Sequence, residues 1–244
     1  MRDDDLLFVS DLHLDAALPA AIGQFMRFLE GPARQAAGLY ILGDLFESWV
    51  GDDDDDPARD GVCRALRAYS AGGRGLWVLR GNRDFLMGTG FEARTGATLL
   101  PDPFHLRYGA LSAFVCHGDL LCTGDHPYQE LRSLVRQPAL QARYLRLPLA
   151  ARRSLADSVR RGSQAHTGRQ QAALMDVDAQ AVEAAFRCSA ARLLIHGHTH
   201  RPGVHPGHID GRDVTRIVLG DWYHQGSCLR LQANGGYELL ALPR

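Results

Sequence analysis

The chain contains the segment His196-Gly-His-Thr-His200, in which three histidines alternate directly after the short apolar run 193–195. On an extended chain, positions i and i+2 face the same way, so His196 and His198 are predicted to present their imidazoles to one point. Imidazole and carboxylate groups together suit Mn2+, Fe2+ or Zn2+. The segment therefore predicts a metal site at the end of a buried strand.

Four further clusters of the same chemistry precede this segment, and each follows an apolar run. They are Asp11-Leu-His13 after run 6–9, Gly43-Asp44 after 39–42, Gly81-Asn82-Arg83-Asp84 after 76–79, and His117-Gly118 after 112–116. The Asp44 carboxylate has two oxygens with which to bridge two ions, and Asn82 adds a neutral oxygen. Together the clusters predict a centre of two metals, which is suited to displacement at phosphorus.

The order of the apolar runs predicts the fold. Helical periodicity over residues 19–35 and a helix from Asp56-Pro57 to about Tyr69 separate the first three strands. This strand–helix alternation predicts a parallel sheet covered on both faces, with ligands at the carboxyl ends of its strands. The second half is richer in strands, and runs 217–219, 228–231 and 237–241 are predicted to be antiparallel. The whole is predicted to be an α/β sheet sandwich flanked by helices.

Residues 125–178 have a helical composition and interrupt the strand series. We therefore predict a core of residues 1–124 and 179–244 with a helical cap inserted at 125–178. Pro138 and Pro148 are expected to divide the insert into short helices. Its arginines and leucines suit a membrane surface or an amphiphilic ligand, although a packed helical hairpin with a solvated arginine face fits the same composition. The arginines are Arg132, Arg136, Arg143, Arg146, Arg152, Arg153, Arg160 and Arg161.

Composition excludes several other classes of protein. The formal net charge is −1, which gives no strong attraction to nucleic acid, and all 27 basic residues are arginine. The 5 cysteines include no CxxC pair and are predicted to be buried free thiols in a reducing cytosol. The acidic N-terminus does not resemble a signal peptide. No apolar run approaches the roughly 20 residues that cross a bilayer.

These motifs resemble the calcineurin-like metallophosphoesterase family, from about residue 6 to the C-terminus and through the helical insertion. The resemblance is closest to members that act in lipid A biosynthesis in Gram-negative bacteria. It rests on Ser10-Asp-Leu-His-Leu14, Tyr40-Ile-Leu-Gly-Asp44, Gly81-Asn-Arg-Asp-Phe85, His117-Gly-Asp119, Leu121-Cys-Thr123, Met175-Asp-Val177, His196-Gly-His-Thr-His-Arg-Pro202 and Val218-Leu-Gly-Asp-Trp222.

The resemblance implies a four-layer αββα sandwich of two mixed sheets with a helical cap. It also implies hydrolysis of the diphosphate bond of UDP-2,3-diacylglucosamine, by water attack at the α-phosphorus, to UMP and 2,3-diacylglucosamine 1-phosphate. The implied cofactor is a pair of Mn2+ ions per chain. The implied location is peripheral, at the cytoplasmic face of the inner membrane, with no nucleic acid and no obligate protein partner.

The resemblance also assigns site residues. It assigns Asp11, His13, Asp44 and His198 as ligands of the first Mn2+, and Asp44, Asn82, His117 and His196 as ligands of the second. Catalytic contacts fall to Asn82 and Arg83, and substrate contacts fall to Asn82, Arg83, Asp125, Ser163, Thr167, Gln170 and His196. Members often carry Lys at the position of Gln170, and the neighbouring Arg169 is a candidate to replace it.

Two other functions are compatible with these motifs. A phosphodiesterase for a soluble nucleotide would share every metal ligand and differ only in the cap. A metal-stabilised scaffold would use the fold to bind partners, but the intact ligand set and Arg83 argue against it. For His200 we favour a hydrogen-bonding role behind the ligands over direct ligation or a structural contact. The acidic run 52–56 is expected to be solvated and not a metal site.

Overall fold

The fold is described from a computed structural model that covers residues 4–167, 176–223 and 226–243. Its first elements alternate as the apolar runs predict. They are β1 (Leu6–Val9), α1 (Pro19–Glu30), β2 (Gly38–Leu42), α2 (Pro57–Ser70) and β3 (Gly75–Leu79). The three strands pair in parallel, with Phe8 opposite Tyr40 and Tyr40 opposite Trp77. The predicted parallel sheet is therefore confirmed.

Helix α1 ends earlier than its periodicity predicts. The prediction runs to residue 35, whereas α1 ends at Glu30 and a separate 3-10 turn covers Pro32–Gln35. Pro32 has no N–H to donate and disfavours the helical conformation at Gly31. The apolar spacing continues past this break because Ala33 packs into the same core.

Three more strands complete a six-stranded sheet. In the order β11-β10-β1-β2-β3-β4, the strand β10 lies antiparallel to β1, and β11 lies antiparallel to β10. This confirms the antiparallel prediction for the last two strands. A short helix, α3, leads into β4 and was not predicted. The added elements are α3 (Thr89–Thr95), β4 (Thr98–Leu99), β10 (Gly226–Leu231) and β11 (Tyr237–Leu242).

A second sheet of five strands has the order β5-β6-β7-β9-β8. Its strands are β5 (Phe104–Tyr108), β6 (Leu111–Val115), β7 (Leu193–His196), β8 (Gly203–Ile209) and β9 (Arg212–Val218). The prediction for run 217–219 was half wrong, because β9 pairs in parallel with β7 and antiparallel only with β8. The sequence analysis did not predict β8, because this exposed edge strand contains polar residues and Pro206 and has no apolar run. The antiparallel partner of β9 was therefore not identified.

The two sheets pack face to face, and helices cover their outer faces. Along β1, Leu6 and Phe8 contribute to the core between the sheets, whereas Leu7 and Val9 pack toward α1 and α2. On the other side, Phe186 of α7 (Ala179–Ser189) packs on Leu194 of the second sheet. The result is the predicted four-layer αββα sandwich, in which the strands that precede the metal-type clusters end side by side.

Among the described residues, three α-helices lie between β6 and α7, namely α4 (His126–Val135), α5 (Pro138–Leu145) and α6 (Leu149–Thr167). The prolines at 138 and 148 stand where the breaks were predicted. Of the residues assigned to substrate, Ser163 and Thr167 fall on the last turns of α6, where only the backbone is described. Gln170 and the alternative Arg169 lie outside the described residues.

Three of the eight arginines in residues 126–167 contact the core and do not form a solvated face. Arg132 donates to Asp119 at 2.7 Å, and Arg136 donates to the carbonyl of Gly81 at 3.1 Å. Arg152 is 2% exposed and donates to the carbonyl of Val50 at 2.6 Å. The exposed arginines that remain are Arg143, Arg146 and Arg161.

The acidic run 52–56 is solvated only in part. The expectation holds for Asp53 and Asp55, whose side chains are 64% and 79% exposed, and it is wrong for Asp54, which is buried. Asp52 accepts hydrogen bonds from the backbone N–H groups at the start of α3. Asp53 pairs with Arg152, the buried Asp54 pairs with Arg153 and Arg59, and Asp56 caps α2. Ion pairs between this acidic run and the arginines of α6 therefore connect the core to the helices of residues 126–167.

All five cysteines are free, as predicted, and four of them are buried. Cys188 is exposed, which corrects the prediction for that residue, because it lies on the outer side of α7. No helix among the described residues combines the length and apolarity required to span a bilayer.

Candidate active site

The metal-type residues meet at the carboxyl ends of β1, β2, β3, β6 and β7, but extended strand geometry does not place them. Asp11, His13 and Asp44 have φ values of 55°, 49° and 51°, and His198 and His200 have 69° and 55°. These values lie in the left-handed region, which costs of order 1–3 kcal/mol per residue outside glycine. The prediction that the i, i+2 alternation of an extended strand orients these side chains was therefore wrong. Tight turns after the strands orient them instead.

A first cluster consists of Asp11, His13 and His200, whose ligand-type atoms lie within 4.8 Å of one another. His13 Nε2 is 3.2 Å from His200 Nε2 and 3.9 Å from Asp11 Oδ1. His200 Nε2 is 3.4 Å from the same Asp11 oxygen. His200 Nε2 therefore lies beside the ligand-type atoms of His13 and Asp11, at distances compatible with direct ligation and with the hydrogen-bonding role favoured from the sequence.

A second cluster consists of Asp11, Asp44 and His117. Asp44 faces both clusters, because its Oδ2 lies 3.8 Å from His13 Nε2 and its Oδ1 lies 3.8 Å from His117 Nε2. The side-chain oxygen of Asn82 lies 2.9 Å from His117 Nε2. Asp44 is thus placed where one carboxylate can serve two ions.

His196 and His198 are less closely joined to these clusters. His198 Nδ1 lies 3.0 Å from the Asn82 oxygen, at the margin of the second cluster. His196 Nδ1 donates to the carbonyl of Gly197 at 2.9 Å, and its Nε2 accepts from Arg216 at 3.3 Å. The two clusters therefore contain four of the seven predicted ligands, and Asn82 contacts His117 and His198 beside them. The nitrogens of His196 face other partners.

Two glycines permit the close approach of these loops. A Cβ at Gly81 would collide with Asp44 Oδ1, and a Cβ at Gly197 would collide with Asp11 Oδ2. The backbone N–H of Arg83 donates to Asp44 at 2.8 Å, and that of His198 donates to Asp11 at 2.8 Å. Each carboxylate is therefore fixed by a neighbouring loop.

Buried charge sets the proton affinities of the site. Burial lowers the pKa of His117, but the carboxylates of Asp44 and Asp11 outweigh it and raise the pKa to about 9. Burial lowers the pKa of His196 and of His198 to about 4. The buried carboxylates therefore favour a positively charged group at His117, whereas the imidazoles of His196 and His198 are neutral near pH 7.

The donor set fits divalent metal ions. Asp11 Oδ1 is buried and accepts no hydrogen bond from the described part of the chain. An ionised carboxylate oxygen without a donor is costly to bury unless a cation neutralises it. The surrounding oxygens and imidazoles suit Mn2+, Fe2+ and Zn2+. The residues present therefore fit the metal centre predicted from the sequence.

A cavity of about 490 Å³ opens beside the clusters. It is lined by the ligand-type residues on one side and by Arg83, Asp125 and Tyr128 on the other. Asp125 also caps α4 by accepting from the backbone N–H of Tyr128 at 3.2 Å. Arg83 places a cationic side chain on the cavity wall, and its Nε is buried without a hydrogen-bond partner among the described residues.

A second, apolar cavity of about 340 Å³ adjoins the first. The two cavities share Asn82, Arg83, Tyr128, Leu131 and Val159. Its apolar lining comes from both the core and the helices of residues 126–167, and includes Trp49, Phe85, Leu86, Leu140, Tyr144 and Leu155.

Sequence reasoning missed several residues behind the site. Glu47 contacts His13 Nδ1 at 3.0 Å, and the ring of Tyr223 stacks on His13. Asp84 is buried and accepts from the backbone N–H groups of Gly81 and Leu45, and burial followed by the charge of Asp44 raises its pKa to about 6. Asp84 belongs to a quoted motif, whereas Glu47 and Tyr223 carry no motif signal of their own.

Comparison with known proteins agrees with this geometry. The chain is 47% identical over 245 residues to "UDP-2,3-diacylglucosamine hydrolase" of Stenotrophomonas maltophilia strain K279a, covering 98% of each chain. It is 44% identical to the protein of the same name from Pseudomonas aeruginosa strain UCBPP-PA14, covering 94% of this chain and 96% of that one. No protein-family model matches.

Among solved structures, vacuolar protein sorting 29 of Cryptosporidium parvum aligns with a TM-score of 0.50 at 12% identity, covering 99% of this chain and 98% of the other. Two mixed sheets flanked by helices, with histidines and carboxylates clustered at their strand ends, define the calcineurin-like metallophosphoesterase fold. Within that class, the chain belongs to the UDP-2,3-diacylglucosamine hydrolase family.

Proposed function

We propose that this chain hydrolyses the diphosphate bond of UDP-2,3-diacylglucosamine to UMP and 2,3-diacylglucosamine 1-phosphate in lipid A biosynthesis. The observation that carries the proposal is the junction of two cavities at Asn82 and Arg83, one beside the metal-type clusters and one apolar. A substrate with a diphosphate and two acyl chains matches that pair of cavities. The names of relatives at 44–47% identity support the same substrate.

The cofactor in this proposal is a pair of Mn2+ ions. One ion is assigned to Asp11, His13, Asp44 and His198, and the other to Asp44, Asn82, His117 and His196. When bound, such a pair lowers the pKa of an attacking water and neutralises charge on the phosphoryl oxygens. Ligation by His196 requires its ring to exchange the partners that it has in this structure.

Arg83 and Asn82 then act on the substrate. Water attack forms an oxygen–phosphorus bond at the α-phosphorus and breaks the bond to the bridging oxygen, which leaves on the sugar 1-phosphate. The Arg83 guanidinium, which lines both cavities, donates to the phosphoryl oxygens as negative charge increases on them. Asn82 is anchored between His117 and His198, so its side chain is fixed at the point of attack.

The helices of the insert receive the lipid part of the substrate. We assign residues 125–178 to a cap and residues 1–124 and 179–244 to the catalytic core. Leu131, Leu140 and Leu155 of the cap face the apolar cavity, where acyl chains are removed from water. Further substrate contacts are assigned to Asp125, Ser163, Thr167, Gln170 and His196.

The same cap supports a peripheral location at the cytoplasmic face of the inner membrane. Leu134 is 50% exposed, and Leu145 and Leu147 are 41% and 39% exposed. Arg143 and Arg146 are exposed in the same stretch of chain. Exposed leucines beside arginines favour the surface of an anionic bilayer, where the proposed substrate resides.

Release of UMP from UDP-2,3-diacylglucosamine in detergent, with Mn2+ or with a chelator, tests this function. A parallel reaction contains a soluble phosphodiester. We expect Mn2+-dependent release of UMP at a rate far above that for the soluble compound. Turnover of the soluble compound alone would support a metallophosphoesterase for small nucleotides and contradict the lipid substrate.

A further inference from the structure

Glu47 is a largely buried acid that the proposed ligand set does not use. It follows β2 by five residues, and its side chain is 12% exposed. Its Oε2 lies 3.0 Å from His13 Nδ1. The other nitrogen of that ring, Nε2, points to the cluster, 3.8 Å from Asp44 Oδ2. A carboxylate at Nδ1 holds the ring proton there, so the lone pair of Nε2 faces the cluster.

Tyr223 completes this arrangement. Its ring stacks on the His13 imidazole with a centroid distance of 5.0 Å and an interplanar angle of 11°. Its hydroxyl donates to Glu47 Oε2 at 3.3 Å. Tyr223 thus fixes the plane of the imidazole, and Glu47 fixes the rotation of the ring within that plane.

The two sides of the centre are not equivalent in this respect. His117 Nδ1 donates to the backbone carbonyl of Leu42 at 2.8 Å, whereas His13 Nδ1 faces the Glu47 carboxylate. A carboxylate behind an imidazole increases its basicity as a ligand more than a neutral carbonyl does. The sequence and the names of the relatives do not distinguish the two sides.

We propose that Glu47 is a positioning residue of the metal centre, which orients His13 and makes the His13 side bind its divalent cation more tightly than the His117 side. The inference rests on the two-metal centre proposed above. It adds that the two sites differ in affinity and that Glu47 and Tyr223 cause the difference.

Titration of the metal-free full-length protein with Mn2+, followed by calorimetry and by the electron paramagnetic resonance of free Mn2+, tests this role without substrate. We expect two binding steps in the wild type, and a loss of roughly 10–100-fold in the tighter step in Glu47→Ala. Glu47→Gln should lose less, because its amide oxygen still accepts the ring proton but carries no charge. Tyr223→Phe, which keeps the stacked ring, should also lose less.

Two comparisons separate positioning from a structural role. Glu30→Ala removes an exposed glutamate at the end of α1 and should bind Mn2+ as the wild type does. In a double-mutant cycle, Glu47→Ala should cause little further loss in a His13→Ala background, because it acts through that imidazole.

Wild-type affinities in Glu47→Ala, or an equal loss from both steps, would overturn the inference. Full additivity with His13→Ala would overturn it too. A wild-type protein that binds no Mn2+ would contradict the proposed function itself, so the two failures are distinguishable.

Discussion

Asp44 is the residue on which both clusters depend. Its two oxygens each lie 3.8 Å from the Nε2 atom of a different histidine, His13 and His117. We expect Asp44→Ala to reduce UMP release by about 10³-fold or more, equivalent to roughly 4 kcal/mol in the barrier, because each of the two proposed metals would lose a ligand. Steady-state kinetics would measure the loss of activity, and a circular dichroism spectrum would check that the variant is folded.

Asp213→Ala is the matched control for that variant. Asp213 lies in β9, and its side chain is 96% exposed and pairs with His208. This substitution removes a carboxylate without touching the clusters, so turnover should stay at the wild-type rate. A folded, metal-replete Asp44→Ala protein with wild-type turnover would show that Asp44 is not the bridge.

The cysteines provide an independent test of packing at single residues. Burial raises the pKa of the Cys122 thiol and of the Cys228 thiol to about 12, and Cys63 and Cys116 are also buried. Only the thiolate reacts readily with a chromogenic disulfide reagent. At pH 8 we therefore expect one fast-reacting thiol in the native protein, Cys188, and five in denaturant. Any fast-reacting thiol in the native Cys188→Ser variant would contradict the described packing.

At the level of elements, Arg152 joins α6 to the loop that follows β2. It donates to the carbonyls of Val50 at 2.6 Å and Leu147 at 2.9 Å, and it pairs with Asp53. We expect Arg152→Ala to lower the free energy of unfolding by roughly 2–4 kcal/mol, because buried carbonyls lose their donors. Urea denaturation at pH 7 would measure the change.

Arg153 is the neighbouring control. Its side chain is 42% exposed, and its partner Asp54 keeps a second arginine, Arg59. Arg153→Ala should therefore cost only about 0–1 kcal/mol. Equal losses of unfolding free energy in the two variants would contradict the conclusion that Arg152 is the main contact between α6 and the loop after β2.

The ion pair between Arg152 and Asp53 is expected to depend on pH in one direction. Arg152 holds the pKa of Asp53 below its ordinary value of 3.8. The contribution of this pair is therefore fully present above that value and is lost as the pH falls through the lower pKa of the folded state. Since the Asp53 side chain is 64% exposed, the carbonyl contacts should dominate the effect of Arg152→Ala.

Across the whole molecule, the sequence predicted those features that depend on local pattern. Buried strands such as 39–42 are continuous apolar runs, and Pro138 and Pro148 mark helix breaks, so both were visible. The edge strand β8 has no apolar run, and its absence led to a wrong pairing for β9. Local pattern alone did not reveal which elements lie together in the folded chain.

The same limit applies to the site. The ligand types and their place at strand ends followed from the motifs, and the clusters of Asp11, His13, His200, Asp44 and His117 meet there. Their left-handed backbone, and the contact of Glu47 with His13, depend on loops brought together by the fold. The alternative of a solvated arginine face is wrong in part for the same reason, because Arg136 and Arg152 donate to carbonyls that are 55 and 102 residues away in the sequence.

The core contacts of these arginines bear on the peripheral membrane location that we propose. Since Arg132, Arg136 and Arg152 are engaged with the core, we assign the proposed contact with anionic lipid to the exposed leucines and arginines between residues 134 and 147. Leu134 is 50% exposed and lines neither cavity. It is therefore the residue with which to test membrane contact separately from catalysis.

We expect Leu134→Glu to weaken association with anionic phospholipid vesicles by roughly tenfold, since inserting a leucine into the interface is worth about 1.5–3 kcal/mol. Turnover of detergent-solubilised substrate should not change. Leu18→Glu is the matched control, because Leu18 is 38% exposed but precedes α1, far along the chain from the cap. Both variants add the same negative charge, so only contact through the cap distinguishes them. Equal cosedimentation of the two variants would mean that the cap does not dock on the membrane through Leu134.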